Sequence, residues 1–430
     1  MSAFTVKKSP PIKGEIFVPG DKSITHRAIL FGGFARGRTV IKGYLPSEDC
    51  ICTLRAIEEM GVKTKIQEKV LTVQGEGFDS LKEPEKVLNM GNSGTSLRLF
   101  TGLLSGLPFF SVLDGDDSLR KRPMARVIEP LARMGAEIRG RQNNRFAPIA
   151  ISGKKNLKGI EYRLPVASAQ IKSAILLAGL SAEGATRIEE PFLSRDHTER
   201  MLQSFGAKIE FSPRKASILK SELRGIEINV PGDFSSAAFF IVAATIIPKS
   251  SLIIRNVGIN STRIGLLDAL KKMGGKISIE NQTVFGGEPA GDLFVQAPEK
   301  LKGIEIREED IPSMIDELPI FFIAAAFAEG ETRVTGAKEL RVKESDRIGV
   351  MSREIKKLGV EVEELPDGLR IKGGNKFKGS AFSSEGDHRV AMSMAIAALA
   401  SEGESTIDPA DCVSTSFPGF ESLLKKVSGS

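Results

Sequence analysis

The sequence contains no tryptophan, two tyrosines, three cysteines and three histidines among its 430 residues. With aromatics at 6%, there is little surface on which nucleic-acid bases would stack. The net charge of +6 comes from 60 basic against 54 acidic residues with no long basic run, which excludes an ordinary nucleic-acid surface and still suits small anions. Cys50, Cys52 and Cys412 have no paired-ligand spacing, and His26, His197 and His388 lie far apart in the chain. A disulfide framework is therefore excluded, and no metal is expected. The longest apolar runs, 239–247 and 320–328, are about half of what a bilayer requires. Residues 1–13 carry charges and two prolines without the apolar centre of a signal peptide. These absences predict a cytoplasmic protein with no membrane partner. Nucleotide fingerprints are missing as well: Asp21 stands where a P-loop needs glycine before its lysine, and Gly75-Glu76-Gly77 lacks the third glycine of a dinucleotide site.

What the sequence does contain is repetition. Val18-Pro19-Gly20-Asp21 recurs as Val230-Pro231-Gly232-Asp233, close to half a chain length later, so the chain reads as duplicated. Inside each half a shorter pattern recurs: a small or polar helix start, an apolar run rich in Ala and Leu, then Gly and a short strand-like segment. It occupies 21–37, 92–106, 168–184, 234–249, 313–330 and 387–403. After each run follow a strand, an amphipathic helix stopped by glycine (Gly61, Gly135, Gly206, Gly274 and Gly359), and an alternating strand, with a truncated copy over 403–427. The pattern predicts an α/β protein of two pseudo-symmetric domains, each of three βαβαββ-like repeats with buried parallel helices, of the inside-out α/β barrel type. The expected domains are 21–231, and 1–20 together with 232–430, with hinges near 18–22 and 230–234 and a cleft between the halves.

Parallel buried helices bring their N-termini to one surface, where free N–H groups and helix dipoles attract anions. The residue types at those starts agree with that. Lys22, Ser23 and Arg27 crowd the first. Asn92-Ser93-Gly94-Thr95 precedes Arg98, and small residues there let an oxyanion approach the backbone. Arg120, Lys121 and Arg122 concentrate positive charge after the acidic turn 114–117, and Ser168-Ala169-Gln170 opens a largely apolar run. The second half supplies acids: Asp310, Asp316 and Glu317 flank the helix expected near Ser313, Lys343-Glu344-Ser345-Asp346-Arg347 forms a polar turn, and Asp387-His388-Arg389 leads directly into an apolar helix. Arg122, Arg347 and Arg389 occupy comparable places in the repeat, where they could clamp a carboxylate and a phosphate.

Asp21-Lys22-Ser23-Ile24-Thr25-His26-Arg27, Gly91-Asn92-Ser93-Gly94-Thr95, Lys121-Arg122-Pro123, Ser168-Ala169-Gln170, Ser194-Arg195-Asp196-His197, Val342-Lys343-Glu344-Ser345-Asp346-Arg347 and Asp387-His388-Arg389 together closely resemble the 5-enolpyruvylshikimate-3-phosphate synthase family, over residues 13–424. The resemblance implies transfer of the enolpyruvyl group of phosphoenolpyruvate to the 5-hydroxyl of shikimate 3-phosphate, with release of phosphate through a tetrahedral intermediate. It implies no cofactor, and a monomer whose partners are those two small molecules. It places Lys22, Ser23, Arg27, Ser168, Ala169, Gln170, Arg195, Asp316 and Lys343 on shikimate 3-phosphate. It places Lys22, Asn92, Gly94, Arg122, Gln170, Arg347 and Arg389 on phosphoenolpyruvate. Lys22, Asp316 and Glu344 would handle protons, Asp316 at the 5-hydroxyl and Glu344 with Lys22 at the methylene carbon. Two positions depart from the commoner pattern: Ala169 replaces a second Ser, and Thr415 stands where many members have Lys. Ala169 with Arg195 resembles the sub-branch less inhibited by glyphosate.

Two alternatives are weaker. The sister enzyme that acts on UDP-N-acetylglucosamine pairs its first Lys with Asn and carries a reactive Cys in the loop here spanning 114–121; this chain has Ser23 and no Cys in that loop. A non-catalytic polyanion-binding protein has no need for Asp316 and Glu344 near arginines.

Overall fold

Six helices have no polar face after their first turns and are buried almost end to end in the computed structural model, which describes residues 3–374 and 377–429. They are α1 (Lys22–Phe34), α2 (Gly94–Leu104), α3 (Ala169–Gly179), α4 (Phe234–Ile246), α5 (Leu318–Ala326) and α6 (His388–Leu399). A helix that is apolar on every side is stable only inside a core. Each of Ile320, Phe321, Phe322 and Ile323 in α5 is removed from water, which contributes about 1.5–3 kcal/mol per side chain.

Among the described residues six sheets enclose these helices, one for each repeat. Leu88–Asn89 pairs in parallel with Phe110–Asp114 across α2, which satisfies the βαβ crossover. Phe110–Asp114 then pairs antiparallel with Phe146–Ser152, and that strand with Glu137–Gly140. The same order recurs around α3 as Glu161–Arg163, Thr186–Glu189, Lys215–Ile218 and Ile209–Ser212, and around α5 as Glu305–Ile306, Glu331–Val334, Gly368–Lys372 and Glu361–Leu365. Two repeats borrow their first strand from elsewhere. Glu227–Asn229 lies parallel to Ala35–Lys42, and Lys13–Phe17 lies parallel to Ser251–Gly258.

The chain divides into two compact units, Gly20–Val230 with Val284–Glu288, and 3–19 with Pro231–Thr283 and 289–429. The excursion 284–288 falls in the first unit although the repeat assigns it to the second half. There Glu288 meets His197 and Gly287 accepts from Arg200. Residues 1, 2, 375, 376 and 430 of the expected second domain lie outside the described residues. Each unit has its own hydrophobic core.

One expectation is corrected. The helix expected near Ser313 is broken into Ile311–Met314 and α5, which begins only at Leu318. Pro312 and Pro319 each sit in the first turn of a helix, where a missing N–H does no harm, so each starts a segment rather than continuing one. The last copy is truncated as expected, to one strand and one helix. Glu404–Asp408 pairs with Ala381–Ser383 on one side and with Phe4–Lys7 on the other. The remaining chain forms the helix Phe420–Ser428, where Phe420 packs edge-on against Phe4 and Phe239 with centroids 6.4 and 6.0 Å apart. Among the described residues no helix is long and apolar enough to cross a membrane.

Candidate functional site

In the unit 20–230 the first turns of α1, α2 and α3 are joined by side chains. Gln170 Nε2 donates to Thr95 Oγ1 at 2.9 Å, and Arg27 Nη2 donates to Ser173 Oγ at 3.0 Å. His26 Nδ1 lies 2.7 Å from Thr53 Oγ1, which lies 2.7 Å from Ser96 Oγ. The three helices thus begin at one end of the unit and add their N-terminal potentials there. Asp21, Ser93 and Ser168 are the caps, accepting from the backbone N–H of Ile24 (2.9 Å), Ser96 (3.1 Å) and Ile171 (3.4 Å). Because short side chains cap the helices, Lys22, Asn92 and Gln170 beside them keep their side chains for other partners.

Lys22 Nζ lies 3.1 Å from Asp49 Oδ2, with 17% of the lysine side chain exposed. Ser23, Ser168, Ala169, Gln170 and Arg195 are partly buried. Arg27 is buried; its Nε donates to Thr198 Oγ1 (2.7 Å) and its Nη1 to the Ser23 carbonyl (3.0 Å). Burial, opposed by Glu199, lowers its guanidinium to about 10. Asn92 is held on both sides: its Oδ1 accepts from Arg122 Nη2 at 2.6 Å and its Nδ2 donates to Asp116 Oδ2 at 2.7 Å. Arg98 bonds the carbonyls of Gly94 (3.1 Å) and Pro123 (3.3 Å), tying the start of α2 to the segment carrying Arg122. Gly94 is the first residue of α2 and faces both arginines. The positive run expected over 120–122 is weaker than its composition, because Arg120 pairs with Asp114 at 2.7 Å.

The other unit repeats the arrangement with more acids. Ser235 Oγ at the start of α4 donates to Glu317 at the start of α5 and accepts from Arg389 Nη2 of α6 at 3.4 Å, so these helices also begin together. Asp316 lies between Ile311–Met314 and α5, where Lys343 Nζ (3.8 Å), Arg347 Nη1 (3.7 Å) and Arg389 Nη2 (3.8 Å) surround its carboxylate. Arg389 Nη1 donates to the Asp316 carbonyl at 2.9 Å. Arg347 is 1% exposed; its Nε donates to Asp387 Oδ2 (2.7 Å) and its Nη2 to Glu344 Oε2 (2.6 Å). Burial disfavours that guanidinium's charge, and Asp387, Glu344 and Asp316 overcome it and hold the cation firmly. Asp387 caps α6, accepting from Arg389 N at 2.8 Å; burial would raise its carboxyl, yet Arg347 holds it below the ordinary range. Desolvation, aided by Arg347, pulls the Lys343 ammonium below its usual value.

The structure separates the three arginines that the repeat had equated. Arg122 and Arg347 stand at the starts of the outer helices Ala125–Arg133 and Arg347–Lys357, whereas Arg389 belongs to the buried α6. Sequence reading missed Asp49, Asp116, Thr198 and Ser173, the partners of Lys22, Asn92 and Arg27. Each lies far from its partner in sequence, so no spacing signals the contact. Among the described residues no group of His, Cys, Asp or Glu is arranged to hold a metal ion.

Residues 6–424 match the family model described as EPSP synthase (3-phosphoshikimate 1-carboxyvinyltransferase). A 3-phosphoshikimate 1-carboxyvinyltransferase of Geotalea uraniireducens is 52% identical over 427 residues, covering 99% of both chains. The solved EPSP synthase of Acinetobacter baumannii superposes with a TM-score of 0.89 at 46% identity, over 99% of this chain and 98% of that one. The enolpyruvyl transferase NikO of Streptomyces tendae shares the fold, with a TM-score of 0.80 over 98% of this chain and 96% of that one, at 19% identity.

Proposed function

The chain belongs to the EPSP synthase (3-phosphoshikimate 1-carboxyvinyltransferase) family, and from that premise we propose that its two polar helix-end faces are the substrate-binding surfaces of such an enzyme. The reaction transfers the enolpyruvyl group of phosphoenolpyruvate to the 5-hydroxyl of shikimate 3-phosphate and releases phosphate, in the shikimate pathway. Both substrates are phosphorylated carboxylates. Helix N-termini supplemented by Lys22, Arg27, Arg122, Arg195, Arg347 and Arg389 suit them in charge.

The observation that carries the reading is the set of carboxylates embedded among those cations. Asp316 faces Lys343, Arg347 and Arg389, and Glu344 accepts from Arg347. A purely anion-binding surface gains nothing from partly buried acids beside its arginines, whereas an addition and elimination needs groups that take and return protons next to groups that hold anionic charge. In this reading Asp316 takes the proton of the 5-hydroxyl. Glu344 and Lys22 serve the methylene carbon, which gains a proton as the tetrahedral intermediate forms and loses one as phosphate departs. Arg122, Arg347 and Arg389 hold phosphoenolpyruvate with Asn92, Gly94 and Gln170. Ser23, Arg27, Ser168, Ala169, Gln170, Arg195 and Lys343 hold shikimate 3-phosphate. The protein acts as a cytoplasmic monomer on small molecules.

The test is phosphate release with both substrates present and with each omitted in turn. Release should require both; phosphoenolpyruvate hydrolysed equally fast without shikimate 3-phosphate would overturn the assignment.

A further inference from the structure

Lys172 is a lysine in the first turns of α3, whose residues 173–179 are otherwise apolar or small, and only 4% of its side chain is exposed. A buried ammonium persists only where its charge is compensated and its donors are used. Here it has three acceptors: Glu190 Oε1 at 2.9 Å, Glu199 Oε1 at 2.8 Å and the Ser194 carbonyl at 3.4 Å. Burial disfavours the cation, but Glu199 and Glu190 outweigh it and hold the ammonium above its ordinary value.

These acceptors belong to the two ends of one loop and to the helix His197–Ser204 that follows it. Glu190 also accepts from Ser194 N (3.0 Å) and Ser194 Oγ (2.5 Å), so the loop 190–194 is closed on itself. Its first residue is also pinned by Arg214 Nε, which donates to the Glu190 carbonyl at 2.9 Å. Arg195 is the next residue. An apolar side chain would fill the same volume inside α3; the cation adds a fixed distance between that helix and both ends of the loop.

We infer that Lys172, with Glu190 and Glu199, is a positioning residue that fixes the loop 190–194 and thereby aims Arg195 at shikimate 3-phosphate. The inference rests on the reading that Arg195 contacts that substrate, and it adds a residue that touches no substrate.

A double-mutant cycle on the full-length enzyme tests it, with shikimate 3-phosphate dissociation constants measured for wild type, Lys172→Met, Arg195→Ala and the double variant. Lys172→Met should weaken shikimate 3-phosphate by about 10- to 100-fold and leave the KM for phosphoenolpyruvate within about twofold, the signature of a misaimed contact. Lys172→Arg should recover part of the loss, and Lys172→Met should add little in the Arg195→Ala background. Equal weakening in both backgrounds overturns positioning through Arg195. Lowered thermal stability with unchanged constants reduces Lys172 to packing and overturns the inference alone, while an inert Arg195→Ala overturns the underlying contact and the inference with it. If Lys172→Met does not fold, Lys172→Met/Glu199→Gln restores the charge balance, and Ser194→Ala loosens the loop with the ion cluster intact; either must weaken shikimate 3-phosphate selectively for the inference to stand.

Discussion

At Gly94 a β-carbon would lie 2.6 Å from Arg98 Nη1 and 3.1 Å from Arg122 Nη1. Gly94→Ala therefore acts by displacing two guanidinium groups, and the strain falls on flexible side chains, not on backbone. The substitution should leave the melting temperature close to that of wild type, raise the KM for phosphoenolpyruvate and leave that for shikimate 3-phosphate unchanged; losses confined to shikimate 3-phosphate would refute the placement of Arg122. Glu344→Gln keeps an oxygen for Arg347 but removes the titrating proton, so kcat should fall by roughly 10²- to 10⁴-fold with little change in substrate affinity. A variant with ordinary turnover takes Glu344 out of the chemistry. His26 is fully buried, and desolvation, with Lys22 and Arg27 adding to it, keeps its imidazole well below 6.5. The unfolded chain gains that proton near pH 6.5 and the folded one does not, so this contribution to stability is complete above that pH. It is lost as pH falls toward the folded value, at about 1.4 kcal/mol per pH unit. Urea denaturation at pH 7 and 5.5 should show a shallower pH dependence in His26→Gln than in wild type, and equal slopes would acquit His26.

Helix packing is decided by small residues in the same way. A β-carbon at Gly102 in α2 would meet the Ala174 carbonyl oxygen of α3 at 2.2 Å and its Cα at 2.7 Å, so there the two helices touch backbone to backbone with no slack. Gly102→Ala should destabilise the unit 20–230 by about 1–3 kcal/mol or more, since backbone has to move, although alanine is the better helix former. A melting temperature at or above that of wild type would show that α2 and α3 can separate freely. The helices themselves were legible. The duplicated Val-Pro-Gly-Asp, the six apolar runs and the glycine stops mark where α1 to α6 and the outer helices lie, and Gly61, Gly135, Gly206, Gly274 and Gly359 all adopt the left-handed φ that a stop of this kind uses. Less legible was the break between Met314 and Leu318. An apolar run with proline in it reads as one helix until it is known that Asp316 must leave the helical register to face Lys343, Arg347 and Arg389. The polar partners were not legible at all: Asp49 for Lys22, Thr198 and Ser173 for Arg27, and the Lys172 cluster are tertiary contacts that no local period encodes.

Each of the two units closes its own core, and their stabilities are expected to separate. Phe420 packs with Phe4, Phe239, Phe240 and Phe417 in the core of the unit containing 231–283. Phe420→Ala should cost that unit about 3–5 kcal/mol. Calorimetry should show one transition lowered and the other in place, and shikimate 3-phosphate, most of whose proposed contacts lie in 20–230, should raise the second; a single transition that moves as a whole would show that neither unit unfolds alone. The pairing of Phe4–Lys7 with Glu404–Asp408, Phe4 opposite Ile407, also sets a schedule. A ribosome adds roughly 5–20 residues per second, so this strand waits about 20–80 s for its partner. In that interval the whole of 20–230 has been synthesised and can close around its helices, while 3–19 hangs from it with an unpaired edge. The last unit to be made is thus completed by the first segment to emerge, and moving 3–19 behind Phe420–Ser428 would remove the delay without changing a side chain of either core.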